Sequence, residues 1–186
     1  MIDRVVAIGG PPGSGKSTAG RLVAGRLGLE YRAAGDLFRA EAARKGLDLE
    51  AFGRFAETHP EIDRELDRAM QALARPGHLL DGRIQGILCR RHGVPVAYVV
   101  VTAEFAERVA RVARRDGQSV EDATRRVRER EASERTRYAQ FYGIDLDREP
   151  ADFTVDSTHR PAESVADAIV GFLEAGPAER PRRAGP

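Results

Sequence analysis

Residues 5–8, Val5-Val6-Ala7-Ile8, are apolar without interruption and stop at Gly9-Gly10, which predicts a short buried strand and a turn. Residues 16–27 place Leu22, Val23 and Leu27 near one face of a helical repeat. Residues 29–33 read as a second short strand. Residues 36–74 are charged, and Gly46, Gly53 and Pro60 divide them into two to four short helices outside the main sheet. His78-Leu79-Leu80-Asp81 is a short apolar run ending in a carboxylate. Residues 94–102, VPVAYVVVT, are apolar nearly throughout, as a parallel strand buried on both faces requires. Helices are expected over 103–115 and 119–142, with Gly117 between them and an N-cap signature at Ser119-Val120-Glu121-Asp122. Phe153-Thr154-Val155 predicts a last strand, and residues 162–173 a last helix. Residues 176–186 carry no apolar periodicity and are expected to be a disordered tail.

Strands alternating with helices predict an α/β fold with a parallel sheet, whose ligands bind at the carboxyl ends of the strands. The turn after Ile8, Asp81 and the segment after Val155 then share one rim. Strand order does not follow from this pattern.

Length and composition narrow the function. A chain of 186 residues suits one domain with inserted lobes. Thirty basic and 29 acidic residues leave a net charge of +1, so no general attraction to nucleic acid or membranes is expected. No apolar run reaches about 18 residues, the length of a spanning helix. The N-terminus lacks the long apolar segment of an export signal. Cys89 is the single cysteine, so no internal bridge can form, and a cytoplasmic protein is expected. Only Lys16 and Lys45 are lysines, against a large excess of arginine, so each lysine draws attention.

Lys16 lies in Gly10-Pro11-Pro12-Gly13-Ser14-Gly15-Lys16-Ser17-Thr18, which contains the phosphate-binding pattern G-x-x-x-x-G-K-[ST] in full. Such a loop turns its backbone N–H groups inward, and glycine leaves the phosphate room. The following helix aims its N-terminal dipole at the same anion. Lys16 adds a point charge for the β- and γ-phosphates, and the Ser17 hydroxyl is a ligand for Mg²⁺. Asp81, at the end of a strand in the same sheet, fits a second hold on that ion or a loop-capping aspartate. The guanine-reading Asn-Lys-x-Asp pattern is missing, and the chain is short for a motor ATPase. A small-molecule or nucleotide kinase fits best.

Several further segments carry a specific resemblance. They are Ala34-Gly35-Asp36-Leu37-Phe38-Arg39, residues 55–67, Asp81-Gly82-Arg83, the block of residues 128–138 (REREASERTRY) with Tyr142-Gly143-Ile144-Asp145, and Asp156-Ser157-Thr158. Together with the loop they resemble the cytidylate kinases, in the short form familiar from archaea, over residues 5–173. The resemblance implies a P-loop fold with a five-stranded parallel sheet. It implies a single kinase domain over 1–175, with a core of 1–34, 76–111 and 141–175, an acceptor-binding lobe at about 35–75 and a lid at about 112–140. The implied reaction is transfer from ATP, with Mg²⁺, to CMP or dCMP. A monomer is expected. An adenylate-type kinase and a nucleotide-binding module without catalysis remain as alternatives.

By the same resemblance, Arg39 and Arg83 hold the acceptor phosphate, Asp36 belongs to the same lobe, and Arg130 and Arg137 close over the transferring group. Glu134 lies between those two arginines and helps hold the nucleoside. Seven residues are two helical turns, so Arg130 and Arg137 share a face. The same helix also fits an ordinary solvated, salt-bridged surface. Arg111 and Arg115 fit either stacking on adenine or a surface role. Asp63 and Asp67 fit either an acceptor for the cytosine amino group or charges on an exposed helix. The long bacterial enzymes follow Asp-Gly-Arg with an aspartate that reads the base. Ile84 stands there in this chain, so the base-reading group must differ, and Gln85 is a candidate.

Overall fold

Five parallel strands form one sheet in the order β2-β3-β1-β4-β5, in a computed structural model that describes residues 2–148 and 150–176. The expected disordered tail lies almost wholly outside the described residues. The strands are β1 (Val5–Gly9), β2 (Glu30–Ala33), β3 (His78–Asp81), β4 (Val96–Thr102) and β5 (Phe153–Asp156). β1 is buried at every position because it has a neighbour on each edge and helices on each face, which explains its lack of alternation. The pairing of Ile8 with Asp81 sets the end of β3 level with the turn that leaves β1. β4 starts two residues later than its apolar run: Pro95 has no N–H to give, and only its carbonyl joins the sheet, accepting from Val5.

One face of the sheet is covered by α1 (Lys16–Leu27) and α8 (Ala162–Glu174), around Val6, Ile8, Val99 and Val101. The opposite face is covered by α5 (Gln85–Arg91), a helix the apolar pattern does not announce. Its residues Gln85 to Cys89 are all buried. A seven-residue helix that meets solvent only at its last two residues has no amphipathic period to read. Gly86 makes that packing possible: a Cβ there would sit 2.1 Å from a ring carbon of Tyr98 on β4.

Between β2 and β3 the chain makes three helices, α2 (Ala34–Arg44), α3 (Leu49–Glu57) and α4 (Pro60–Gln71). Pro60 opens α4 at its first turn, where a missing N–H costs nothing. Gly53 does not end a helix as expected: it lies inside α3, and its missing side chain faces Ser133. The three helices share a small core around Phe52, which is fully buried and packs on Phe38 with ring centroids 4.6 Å apart. Burial of such a ring contributes about 1.5–3 kcal/mol.

Between β4 and β5 run α6 (Phe105–Asp116) and the 23-residue α7 (Val120–Tyr142). Gly117 and Gly143 end them in the left-handed conformation. Ser119 caps α7, its hydroxyl accepting from the Asp122 N–H at 3.0 Å. The two helices join through Val109, Val112, Ala123 and Val127, while α7 also packs along α3.

Replacing Gly86 with alanine forces α5 off Tyr98. We expect a loss of about 1–3 kcal/mol, read as a lower urea midpoint with an unchanged slope. An unshifted midpoint would contradict this packing.

Candidate active site

Gly10, Gly13 and Gly15 all take positive φ, and Gly15 is the residue from which α1 springs. At Gly13 a side chain would be doubly excluded: φ is +79°, and a Cβ would lie 2.6 Å from the Arg108 carbonyl oxygen. The loop therefore rests directly on α6. Ser14 is fully buried, and its hydroxyl oxygen has no hydrogen-bond partner among the described residues. An unsatisfied buried hydroxyl at a glycine-rich turn suits an anionic ligand, as do the free N–H groups at the start of α1.

Lys16 lies half-buried within electrostatic reach of Asp81, Arg83, Arg130 and Glu134. Burial pushes its ammonium below the usual lysine range, against the pull of Asp81. Four separate chain segments thus converge on the loop: β3, the turn after it, α1 and the middle of α7. Glu134 sits at the centre. Its side chain is 6% exposed, its Oε1 accepts from Arg130 Nε at 2.9 Å, and its Oε2 lies 3.4 Å from Arg83 Nε. Burial alone would raise its pKa, but Arg130, Arg83 and Lys16 outweigh it and hold the carboxyl below the ordinary glutamate value.

Asp81 is buried and accepts from the Tyr31 hydroxyl at 2.5 Å. Burial, and then the Asp81 charge, raise the Tyr31 pKa, so it remains a donor. The Ser17 hydroxyl also lies against Tyr31. Ser17, in the first turn of α1, and Asp81, at the end of β3, are hard oxygen donors, and no cluster of three carboxylate, histidine or cysteine side chains occurs among the described residues. Two protein oxygens suit Mg²⁺, which keeps most of its ligands as water and phosphate.

α6 holds the loop from outside. Arg111 Nη1 donates to the Ser14 carbonyl at 3.4 Å and to Ser157 Oγ at 2.9 Å, and its Nη2 donates to the Ser157 carbonyl at 2.7 Å. Ser157 Oγ in turn donates to the Ser14 carbonyl at 2.7 Å. Arg111 thus joins the phosphate loop to the segment after β5. Arg115 instead pairs with Asp116 on the exposed end of the helix. One turn before Arg111, Arg108 is buried and reaches the Pro12 carbonyl at 3.1 Å.

The remaining candidates lie where α4 meets α7. Arg137 and Asp63 are both buried, and Arg137 Nη1 lies 2.6 and 2.7 Å from the two carboxylate oxygens. Asp63 is not a charge on an exposed helix, and in this arrangement Arg137 faces Asp63. Burial raises the Asp63 pKa, with Arg137 opposing. Asp67 is not a surface charge either. It accepts from Gln85 Nε2 at 2.7 Å and from the Tyr142 hydroxyl, both neutral donors. Burial pushes its carboxyl up to about 6. Gln85 is fully enclosed, accepting from Gln71 at 2.9 Å while it donates to Asp67. Arg39 and Asp36 pair with each other at the exposed start of α2. The solvated-surface reading of α7 holds for one side only: Arg125 and Arg135 form exposed ion pairs, whereas Glu134 and Arg137 are buried.

Tyr31 and Arg108 carried no motif. Tyr31 alternates as a strand residue, and Arg108 is one arginine among many. The only available signal was position: Tyr31 precedes the Ala-Gly-Asp segment, and Arg108 lies one turn from Arg111.

A parallel sheet of this order, with a glycine-rich cradle between β1 and α1, defines a P-loop kinase fold. The family described as AAA domain matches residues 9–139. Among solved structures, shikimate kinase from Acinetobacter baumannii superposes with a TM-score of 0.60 at 16% identity, covering 92% of this chain and 93% of that one. TT1252 from Thermus thermophilus gives 0.59 at 21%, covering 96% and 100%. These likenesses carry the fold alone. Among curated proteins, cytidylate kinase of Pyrobaculum aerophilum is 41% identical over 167 residues, 89% of this chain and 88% of that one. Cytidylate kinase of Archaeoglobus fulgidus is 36% identical over 172 residues, 91% and 94% of the two chains. The chain belongs to the cytidylate kinase family.

Asp67 lends the fold a pH dependence. A folded pKa of about 6 against an ordinary 3.8 means that stability is full below pH 4 and falls as pH rises to 7. Relative to Asp67→Asn, the wild type should lose up to about 3 kcal/mol across that interval. Unfolding of both proteins at pH 4.5 and 7.5 measures it; a constant difference would count against a carboxylate whose charge burial opposes.

Proposed function

We propose that the protein transfers the γ-phosphoryl group of ATP to CMP or dCMP. The observation that carries this reading is the convergence of Lys16, Arg83 and Arg130 on Glu134 and Asp81 beside the phosphate loop. Two polyanions must be brought together there, and a nucleotide-binding module without chemistry has no need of two cations, Arg83 and Arg130, beyond the loop lysine. The names of the relatives support cytosine as the acceptor base.

In this reading, the loop of residues 10–18 takes the β-phosphate through the backbone N–H groups of Gly13 and of Gly15 to Thr18 and through the Ser14 hydroxyl, and Lys16 bridges β and γ. Ser17 and Asp81 would hold Mg²⁺, which neutralises phosphate charge when bound. Arg111 lines the donor side. Arg83 and Arg39 hold the acceptor phosphate by their planar forks, with Asp36 steadying Arg39. An acceptor oxygen then attacks the γ-phosphorus in line, and the bond to the β–γ bridging oxygen breaks. Arg130 spreads over the charge that develops, and Arg137 closes the site from its seat on Asp63. Glu134 accepts from the nucleoside sugar. Ile84 is apolar and buried, so the base contact falls to the wall where Asp63, Asp67 and Arg137 lie.

The domain limits follow the same reading: a core, an acceptor lobe at about 35–75 and a lid at about 112–140. No helix among the described residues is long and apolar enough to cross a membrane, and with the lone cysteine this supports a cytoplasmic setting.

A coupled assay with all common nucleoside monophosphates and shikimate tests the reading. Turnover of CMP and dCMP well above the others is expected; turnover of AMP or shikimate with none of CMP would end it. Lys16→Ala should abolish turnover with the unfolding midpoint retained. Arg130→Ala should cost on the order of 10²–10⁵ in kcat.

A further inference from the structure

Arg108 has no part in the transfer just described, yet it is 7% exposed and sits against the phosphate loop. Its Nε donates to the Ala103 carbonyl at 3.2 Å, and its Nη1 donates both to the Pro12 carbonyl at 3.1 Å and to Glu131 Oε1 at 2.6 Å. Its guanidinium also stacks on Phe105, the centre 5.2 Å from the ring centroid. The Arg108 backbone is the surface against which Gly13 packs. One side chain therefore touches the loop, the strand exit and α7 at once.

We propose that Arg108 is a positioning residue for the phosphate loop, and that Glu131 on α7 completes its setting when the lid is closed. The reason is electrostatic. Burying a guanidinium is costly unless a counter-charge accompanies it. Carbonyl oxygens at Pro12 and Ala103 orient Arg108 but carry no net charge. Glu131 is its one ion-pair partner among the described residues. Glu131 lies between Arg130 and Glu134 on the turns of α7 that face Lys16, so it arrives with them. If α7 swings away, Arg108 loses its counter-charge and reorients toward water, and its hold on Pro12 goes with it. If α7 closes, Arg108 is pinned and the loop's carbonyls are fixed outward. Its N–H groups are then fixed inward, toward phosphate. Arg111 holds the Ser14 side independently, which leaves Pro12 as the corner that α7 controls.

This inference rests on the phosphate loop holding ATP but not on the identity of the acceptor. Arg108→Lys keeps the charge and loses the fork; Glu131→Gln keeps the shape and loses the charge. Each is expected to lower kcat, by up to the order of 10²-fold for a displaced reactive group, with less than about threefold change in KM for the acceptor. The double variant should be no worse than the poorer single one, because the two act through one contact. Calorimetric binding of the β,γ-imido analogue of ATP, with and without saturating CMP, supplies a readout that a simple structural tie would not move. Wild type should bind the analogue more tightly when CMP has closed the lid, and Glu131→Gln should lose most of that gain. Lower unfolding midpoints with wild-type kcat and an undiminished gain would overturn the proposal, as would independent losses in the double variant. Should Arg108→Lys fail to fold, Glu131→Gln decides alone. A wild type that binds no analogue would instead sink the reading of the loop.

Discussion

Glu134, a buried carboxylate, stands between three cations that would otherwise repel one another, with Asp81 as a second counter-charge to Lys16. Lys16, Arg83 and Arg130 come from different parts of the chain, and the fold brings them to the same small volume beside the loop, as the proposed hold on phosphate requires. Without a negative group among them, that gathering would be unfavourable until substrate arrived. With Glu134 in place the cations are already assembled. A nucleotide then exchanges one anionic partner for another and does not have to recruit charge from solvent. Such preorganisation is the main contribution a protein can make to phosphoryl transfer, where little covalent help is needed.

The supports of that cluster are themselves polar and buried. Tyr31 fixes Asp81, Arg111 fixes the loop to the segment after β5, and Asp63 takes Arg137. Each bond spans elements far apart in sequence. Behind them lies the network of Gln71, Gln85, Asp67 and Tyr142, which ties α4, α5 and α7 together without a cation. A carboxylate held only by neutral donors is an unusual choice for a purely structural joint, since burial opposes its charge. It marks the α4–α7 wall as a place where the molecule tolerates cost, as sites of recognition often do.

Apolar patterning made most of the elements legible. The buried strands β1 and β4 read directly, as did the capped α7 and the cradle with its lysine. α5 was invisible because it is short and enclosed. Gly53 looked like punctuation because a helix that packs against another at a glycine cannot be told, in sequence, from one that stops there. The arginine-rich stretch after Ser119 fitted either a solvated surface or a lid, and the folded helix has one side of exposed ion pairs and another on which Glu134 and Arg137 are buried.

What followed from the chain alone was therefore chemistry that is local: nine consecutive residues suffice to wrap a phosphate, because the glycines, the lysine and the helix start lie next to one another. What needed the folded molecule was chemistry that is assembled. That Glu134 balances Lys16, that Arg137 faces Asp63 and that Arg108 joins Pro12 to Glu131 depend on strand order and helix rotation. An arginine's partner is set by where its guanidinium ends up, well away from its own backbone, and residue spacing does not encode that across sequence separations of 74 or 96.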